Sequence, residues 1–186
     1  MLITFARAAG GSTLATIRRA DGVVLELPGY DRKWRVPHDL AHAVTERELG
    51  MAEGVFGSIA GGGVFGNMRV IGGKPRHDAA DRSRRLLAAN KRPLGIAEVL
   101  AGFVHDTVEH GSEEPVIARA RAGWGMFSTG EFPWSGVQLS AAVRLLAGLT
   151  AEFEQSGGAL DFTWPDRLTS PVPSPSVPRR GRRGRV

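Results

Sequence analysis

Apolar and polar positions alternate along the first 30 residues. Residues 13–19 repeat on a period of two, the side-chain period of a strand, and the apolar-rich runs 2–6 and 23–27 read as strands beside them. Gly10-Gly11 separates the first pair of runs and Asp21-Gly22 the second. Glycine tolerates the positive φ that tight hairpins demand. Pro28-Gly29 ends the third run. An N-terminal antiparallel β-meander is predicted.

The pattern then becomes helical. A helix is expected over residues 38–49, after Pro37 and up to Gly50, because proline suits a helix start and glycine a helix end. Residues 52–59 are apolar, and 67–71 read as a short strand or loop. Residues 78–90 form a polar helix bearing Arg82, Arg84 and Arg85. Pro93 opens a further helix with Ile96, Val99, Leu100, Phe103, Val104 and Val108 at helical spacing. A loop rich in glycine and aromatic residues follows, over 123–134. Ser135 can cap the longest helix, 136–155, which Gly157-Gly158 ends. Residues 159–164 form a last strand, expected to return to the N-terminal sheet. Strands first, helices next and one returning strand describe an α+β domain.

Residues 169–178 hold four prolines and three serines, and read as a linker. One domain is therefore expected over 1–168, followed by a disordered Pro/Ser linker and Arg-rich tail over 169–186. The formal net charge is +5, but residues 179–186 carry five arginines and no acid, so residues 1–178 are formally neutral. Basic character lies in a short arm. Such an arm can make weak, non-specific, salt-sensitive contact with nucleic acid, or it can be a solvated terminus. There is no cysteine, which excludes disulfides, thiolate nucleophiles and Cys-ligated metal. No apolar run approaches the roughly 20 residues that span a bilayer. With no signal-peptide pattern at the start, a cytoplasmic protein without a membrane partner is expected.

The sharpest chemical feature is the run from Pro37 to Glu46, Pro-His-Asp-Leu-Ala-His-Ala-Val-Thr-Glu. His38 and His42, four apart on a helix, project from one face, so their imidazoles can reach one metal ion. Glu46 extends the stripe by a turn. Asp39 lies about 100° round the helix, placed either to ligate or to orient a ligating histidine. The same spacing also suits a helix whose histidines bond core groups or face water.

His38-Asp39 with His42 resembles the HDxxH motif of the zinc-binding coenzyme Q biosynthesis proteins, in which eleven residues and a glutamate follow. Here Glu53 follows after ten. The resemblance spans residues 38–53 and implies His38, Asp39, His42 and Glu53 as zinc ligands. The chain also resembles uncharacterised small bacterial proteins with a PHDLxH segment, which implies no activity. Zincin metalloproteases carry HExxH on a helix, with a glutamate where Asp39 stands; Asp39 is shorter and reaches a metal-bound water poorly. HD-type phosphohydrolases offer another order, into which His38, His77-Asp78 and Asp106 can be threaded.

His105, Glu109 and His110 form a second cluster at a helix end. One of them can complete a site with His38 and His42, or all can complement the helix dipole. Gly54, Gly57 and Gly61-Gly62-Gly63 lack the context of a phosphate loop and suit close helix packing. Trp124, Phe127, Phe132 and Trp134 can wall an apolar pocket or fill the core. Ser58 lacks the turn of a nucleophile elbow.

The expected protein is a zinc-binding α+β domain with a helix-borne HDxxH site; if it is an enzyme, the reading is a hydrolase or lyase acting on a small-molecule substrate. Asp39 or Glu46 would move the proton. The alternative is a non-catalytic interaction module whose basic tail binds nucleic acid or an acidic partner.

Overall fold

A computed structural model describes residues 1–29, 34–112 and 114–175. The three predicted strands form: β1 (Leu2–Arg7), β2 (Thr13–Arg18) and β3 (Val24–Pro28). After them come α1 (His38–Leu49), α2 (Val55–Ala60), β4 (Arg69–Gly72), α3 (Ala79–Ala89), α4 (Lys91–His110), α5 (Val116–Trp124), α6 (Gly136–Gln155) and β5 (Ala159–Thr163). A 3-10 turn over Asp166–Leu168 follows. The fold is α+β. The periodicity missed α5, which opens behind Pro115 where no loop signal separates it from the aromatic segment.

The sheet is antiparallel throughout, in the order β4-β3-β2-β1-β5. Register lines the apolar positions up on one face. Ile3 lies opposite Ile17 and Phe162, and Phe5 opposite Ala15 and Leu160. All of these are buried. The other face is polar: Thr4 Oγ1 donates to Asp161 Oδ1 at 2.7 Å. Burying a side chain such as Phe5 or Ile17 contributes about 1.5–3 kcal/mol, and a one-residue slip would turn that whole set to solvent.

Helix α1 runs through the centre of the helical layer, packed against α2, α4 and α6. Leu40, Ala41, Ala43, Val44 and Leu49 are buried, and so are the polar His42, Thr45 and Glu46. The helix ends at Gly50, whose φ of 70° is the left-handed conformation that glycine adopts without penalty. Gly50 N–H donates to the Arg47 carbonyl at 3.3 Å and Met51 N–H to the Glu46 carbonyl at 2.8 Å, the bond pattern of a Schellman turn. That reversal brings residues 51–56 back alongside Glu46. Ser135 caps α6 in a reciprocal capping box with Gln138, as its position before the apolar run implies.

The chain stays on the domain beyond the expected boundary at Leu168. Ser170 is buried. Its N–H donates to the Gly57 carbonyl at 3.0 Å, and its hydroxyl accepts from Asn90 Nδ2 at 2.8 Å. Asn90 Nδ2 also donates to buried Ser58 at 2.9 Å, so Ser58 belongs to this anchoring network. Arg85 Nε donates to the Pro173 carbonyl at 3.1 Å. The Arg-rich tail lies outside the described residues. Among the described residues, no helix is long and apolar enough to cross a membrane.

Candidate metal centre

His38 opens α1 and His42 follows one turn later, their rings 4.8 Å apart between centroids. Glu98, on α4, completes a set with them. One ligand atom from each of His38, His42 and Glu98 lies within 4.8 Å of the others. Glu98 Oε2 is 3.1 Å from His42 Nε2, and Glu98 Oε1 is 3.5 Å from His38 Nε2. The spacing along one helix supplied two members; the packing of α4 on α1 supplied the third.

His42 is buried and held on both sides. Its Nδ1 lies 3.1 Å from Glu46 Oε1. Glu46 is fully buried and is itself fixed, for Val55 N–H donates to Oε1 and Phe56 N–H to Oε2, both at 2.9 Å. A carboxylate on Nδ1 sets the ring's orientation and leaves Nε2 facing Glu98, the arrangement usual behind metal-binding histidines. Burial disfavours a charged imidazole, but the hydrogen bonds to Glu46 and Glu98 outweigh it and raise the His42 pKa from 6.5 to about 10. The hydrogen bonds from His38 and His42 hold the Glu98 carboxyl far below the usual carboxylate range. With no metal bound, His42 is thus an imidazolium between two carboxylates.

Gly54 makes this packing feasible. A Cβ there would lie 2.5 Å from Glu46 Cδ and Oε2. The segment before His38 is clamped to the end of α4. Glu109 accepts from the Arg35 and Val36 amides at 3.1 and 2.9 Å, and His105 Nε2 donates to the Val36 carbonyl at 3.0 Å. Burial opposes ionisation of Glu109, but those two amides hold its pKa below the ordinary value. The His105–Glu109 cluster thereby positions the start of α1. The His105 ring also comes within 5.9 Å of the His38 ring.

The set opens on a cleft of about 350 Å³. Leu27, Val55, Phe65 and Leu94 give it apolar walls, while Thr13, Asn67 and Asp39 add polar groups. Asp39 lies half-buried on the same cleft as the two histidines. Glu53 does not join them. It is exposed on the turn after α1 and lines a separate apolar cleft with Pro93, Trp124 and Trp134. There Trp124, Phe132 and Trp134 pack edge to face, with centroids 5.4–6.3 Å apart. The other carboxylates of the phosphohydrolase-like order are engaged elsewhere: Asp78 accepts from Arg76 at 3.2 Å, and Asp106 from Arg119 at 2.5 Å.

Glu98 had one sequence signal. It lies four residues after Leu94 and seven before His105, on the α4 stripe that turns towards α1. A carboxylate on an otherwise apolar stripe marks a polar partner opposite, but nothing in the spacing names which helix supplies it. No protein-family profile, curated protein or solved structure matches the chain.

Proposed function

We propose that His38, His42 and Glu98 hold one divalent cation, zinc for preference, and that the protein is a metalloenzyme acting on a small molecule bound in the adjoining cleft. The observation that carries this reading is the convergence of two imidazoles and one carboxylate, within 4.8 Å, at the cleft. Two neutral histidines and a carboxylate are a donor set that suits zinc and leaves a position open to substrate or water. Glu46, locked by two backbone amides, supports the set by holding the His42 ring.

A bound zinc ion supplies Lewis-acid polarisation of a substrate oxygen or activation of water. The chain's own residues do the rest. His42 presents Nε2 to the cleft because Glu46 takes Nδ1. The apolar walls from Leu27, Val55, Phe65 and Leu94 favour a substrate with a nonpolar body. Asp39, on the cleft wall, moves the proton in a hydrolase or lyase reaction, whereas both oxygens of Glu46 are engaged and serve orientation. Elemental analysis of tag-free protein, with calorimetric zinc titration of the stripped chain, tests the reading. One zinc per chain is expected; binding well below that stoichiometry would overturn it.

A further inference from the structure

A third cleft, of about 390 Å³, lies between the β2–β3 turn and the first turn of α3, away from the histidines. Three arginines line it, Arg19, Arg76 and Arg82, against the single carboxylate of Asp21. We infer that this cleft binds the phosphoryl group of a small phosphorylated molecule.

Each arginine is set differently, and all retain donors for a ligand. The Arg19 side chain is only 7% exposed. Asp21 grips its Nε and Nη2, and that grip fixes the guanidinium plane. Its Nη1 is left towards Gly62, where a Cβ would lie 4.0 Å away. Arg76 uses Nε on Asp78, so its terminal nitrogens remain available. Arg82 is half-buried, and among the described residues its side chain makes no ion pair or hydrogen bond. Its neighbours Arg84 and Arg85, by contrast, both pair with Asp81. A guanidinium withdrawn from water without a partner is costly unless an anion meets it.

The number and form of the donors select the anion. Planar guanidinium forks match phosphate oxygens in bidentate fashion. The donors left over, on Arg19 Nη1, the terminal nitrogens of Arg76 and the Arg82 guanidinium, exceed what the two oxygens of one carboxylate can accept, while a phosphate offers up to four oxygens. Ala60, Gly61, Gly62 and Ala79 keep one side of the wall small, and Thr169, Ser170 and Val172 close the other. A concave site of this volume suits a compact metabolite better than a polymer backbone.

Titration calorimetry of the full chain with pyrophosphate, at fixed ionic strength, tests the inference. Arg76→Gln and Arg82→Gln are each expected to weaken binding about tenfold, and the double variant more. Arg84→Gln, which removes the same charge from the far side of α3, is expected to leave the affinity within about twofold of the parent, as its partner Asp81 lies outside the cleft. Succinate should bind far more weakly than pyrophosphate. The same titrations are run with the tail arginines 179, 180, 182, 183 and 185 replaced by glutamine. Retained binding there supports the cleft; lost binding assigns the anion to the tail and overturns it. Equal weakening by Arg84→Gln, or no change in the double variant, would also overturn it. So would binding confined to an oligonucleotide, which would make the surface a polymer contact. Zinc binding by the double variant should match the parent, which keeps this test separate from that of the histidine site.

Discussion

Glu46 Oε1 lies 3.1 Å from His42 Nδ1, one turn along the same helix, and the same carboxylate receives the amides of Val55 and Phe56. One buried side chain therefore ties together the candidate metal ligand, the end of α1 and the start of α2. Hydrogen bonds to a charged group contribute about 1.5–3 kcal/mol each, so this carboxylate matters to the fold as well as to the site. Glu46→Gln should lower stability by about 2–4 kcal/mol in urea unfolding. It should also weaken zinc binding by about 10–100-fold, the usual cost of losing a supporting hydrogen bond. Gly54→Ala should act through the same carboxylate, since its Cβ would press on Glu46. A Gly54→Ala protein as stable as the parent would show that Glu46 has room to move.

The ligand set makes a selective forecast. His38→Ala, His42→Ala and Glu98→Gln should each weaken zinc binding at least about tenfold, because a site of three protein ligands has no spare donor. Glu53→Gln and His77→Ala should bind as the parent does, since neither residue approaches the set. Parallel calorimetric titrations decide it. If Glu53→Gln weakens binding and Glu98→Gln does not, the ligand assignment is wrong.

The pH dependence follows from His42. Its pKa is raised by Glu46 and Glu98, against the effect of burial, from 6.5 to about 10. A raised value means that the folded chain holds the proton more tightly than the unfolded chain. The stabilisation is complete below about pH 6.5 and is lost as pH rises through about 10. Glu98 works in the opposite direction. Its lowered pKa contributes stability above the ordinary value of 4.5, lost as pH falls further. Metal-free protein in chelator should melt highest between these limits and progressively lower towards pH 10, and His42→Gln should remove most of the alkaline slope. Zinc must displace the His42 proton, so its apparent affinity should rise with pH, by about tenfold per unit while that proton is held. A flat melting profile from pH 6.5 to 10 in the parent would contradict the paired imidazolium.

Truncation separates the packed end of the chain from its tail. Removing residues 176–186 should leave the melting temperature nearly unchanged. Ending the chain at Leu168 removes the Ser170 bonds to Gly57 and Asn90, each contributing about 1 kcal/mol. For a domain of this size the melting temperature should fall by roughly 4–8 °C. Equal melting of the two truncated chains would show that residues 169–175 contribute nothing.

The sequence by itself determined the local parts of this protein. Period-two alternation with glycine turns defined the meander. Pro37 and Gly50 bracketed α1, and Ser135 marked the start of α6. Each is a short-range rule, satisfied within a few residues by backbone geometry and capping. The four-residue spacing of His38 and His42 likewise needs only the helical repeat. Tertiary structure decided what those histidines face. Glu98 stands 56 residues from His42 in sequence and meets it only because α4 packs on α1. Glu46, which lies on the histidine stripe, is turned inward to hold His42 and the amides of α2, because the Schellman turn at Gly50 folds the next segment back onto it. Glu53 fits a linear motif yet lies on another cleft, since that same turn carries it away from the stripe. Helical periodicity orders side chains along one element; which element supplies the remaining ligand depends on how the apolar faces pack, and spacing along the chain does not encode that.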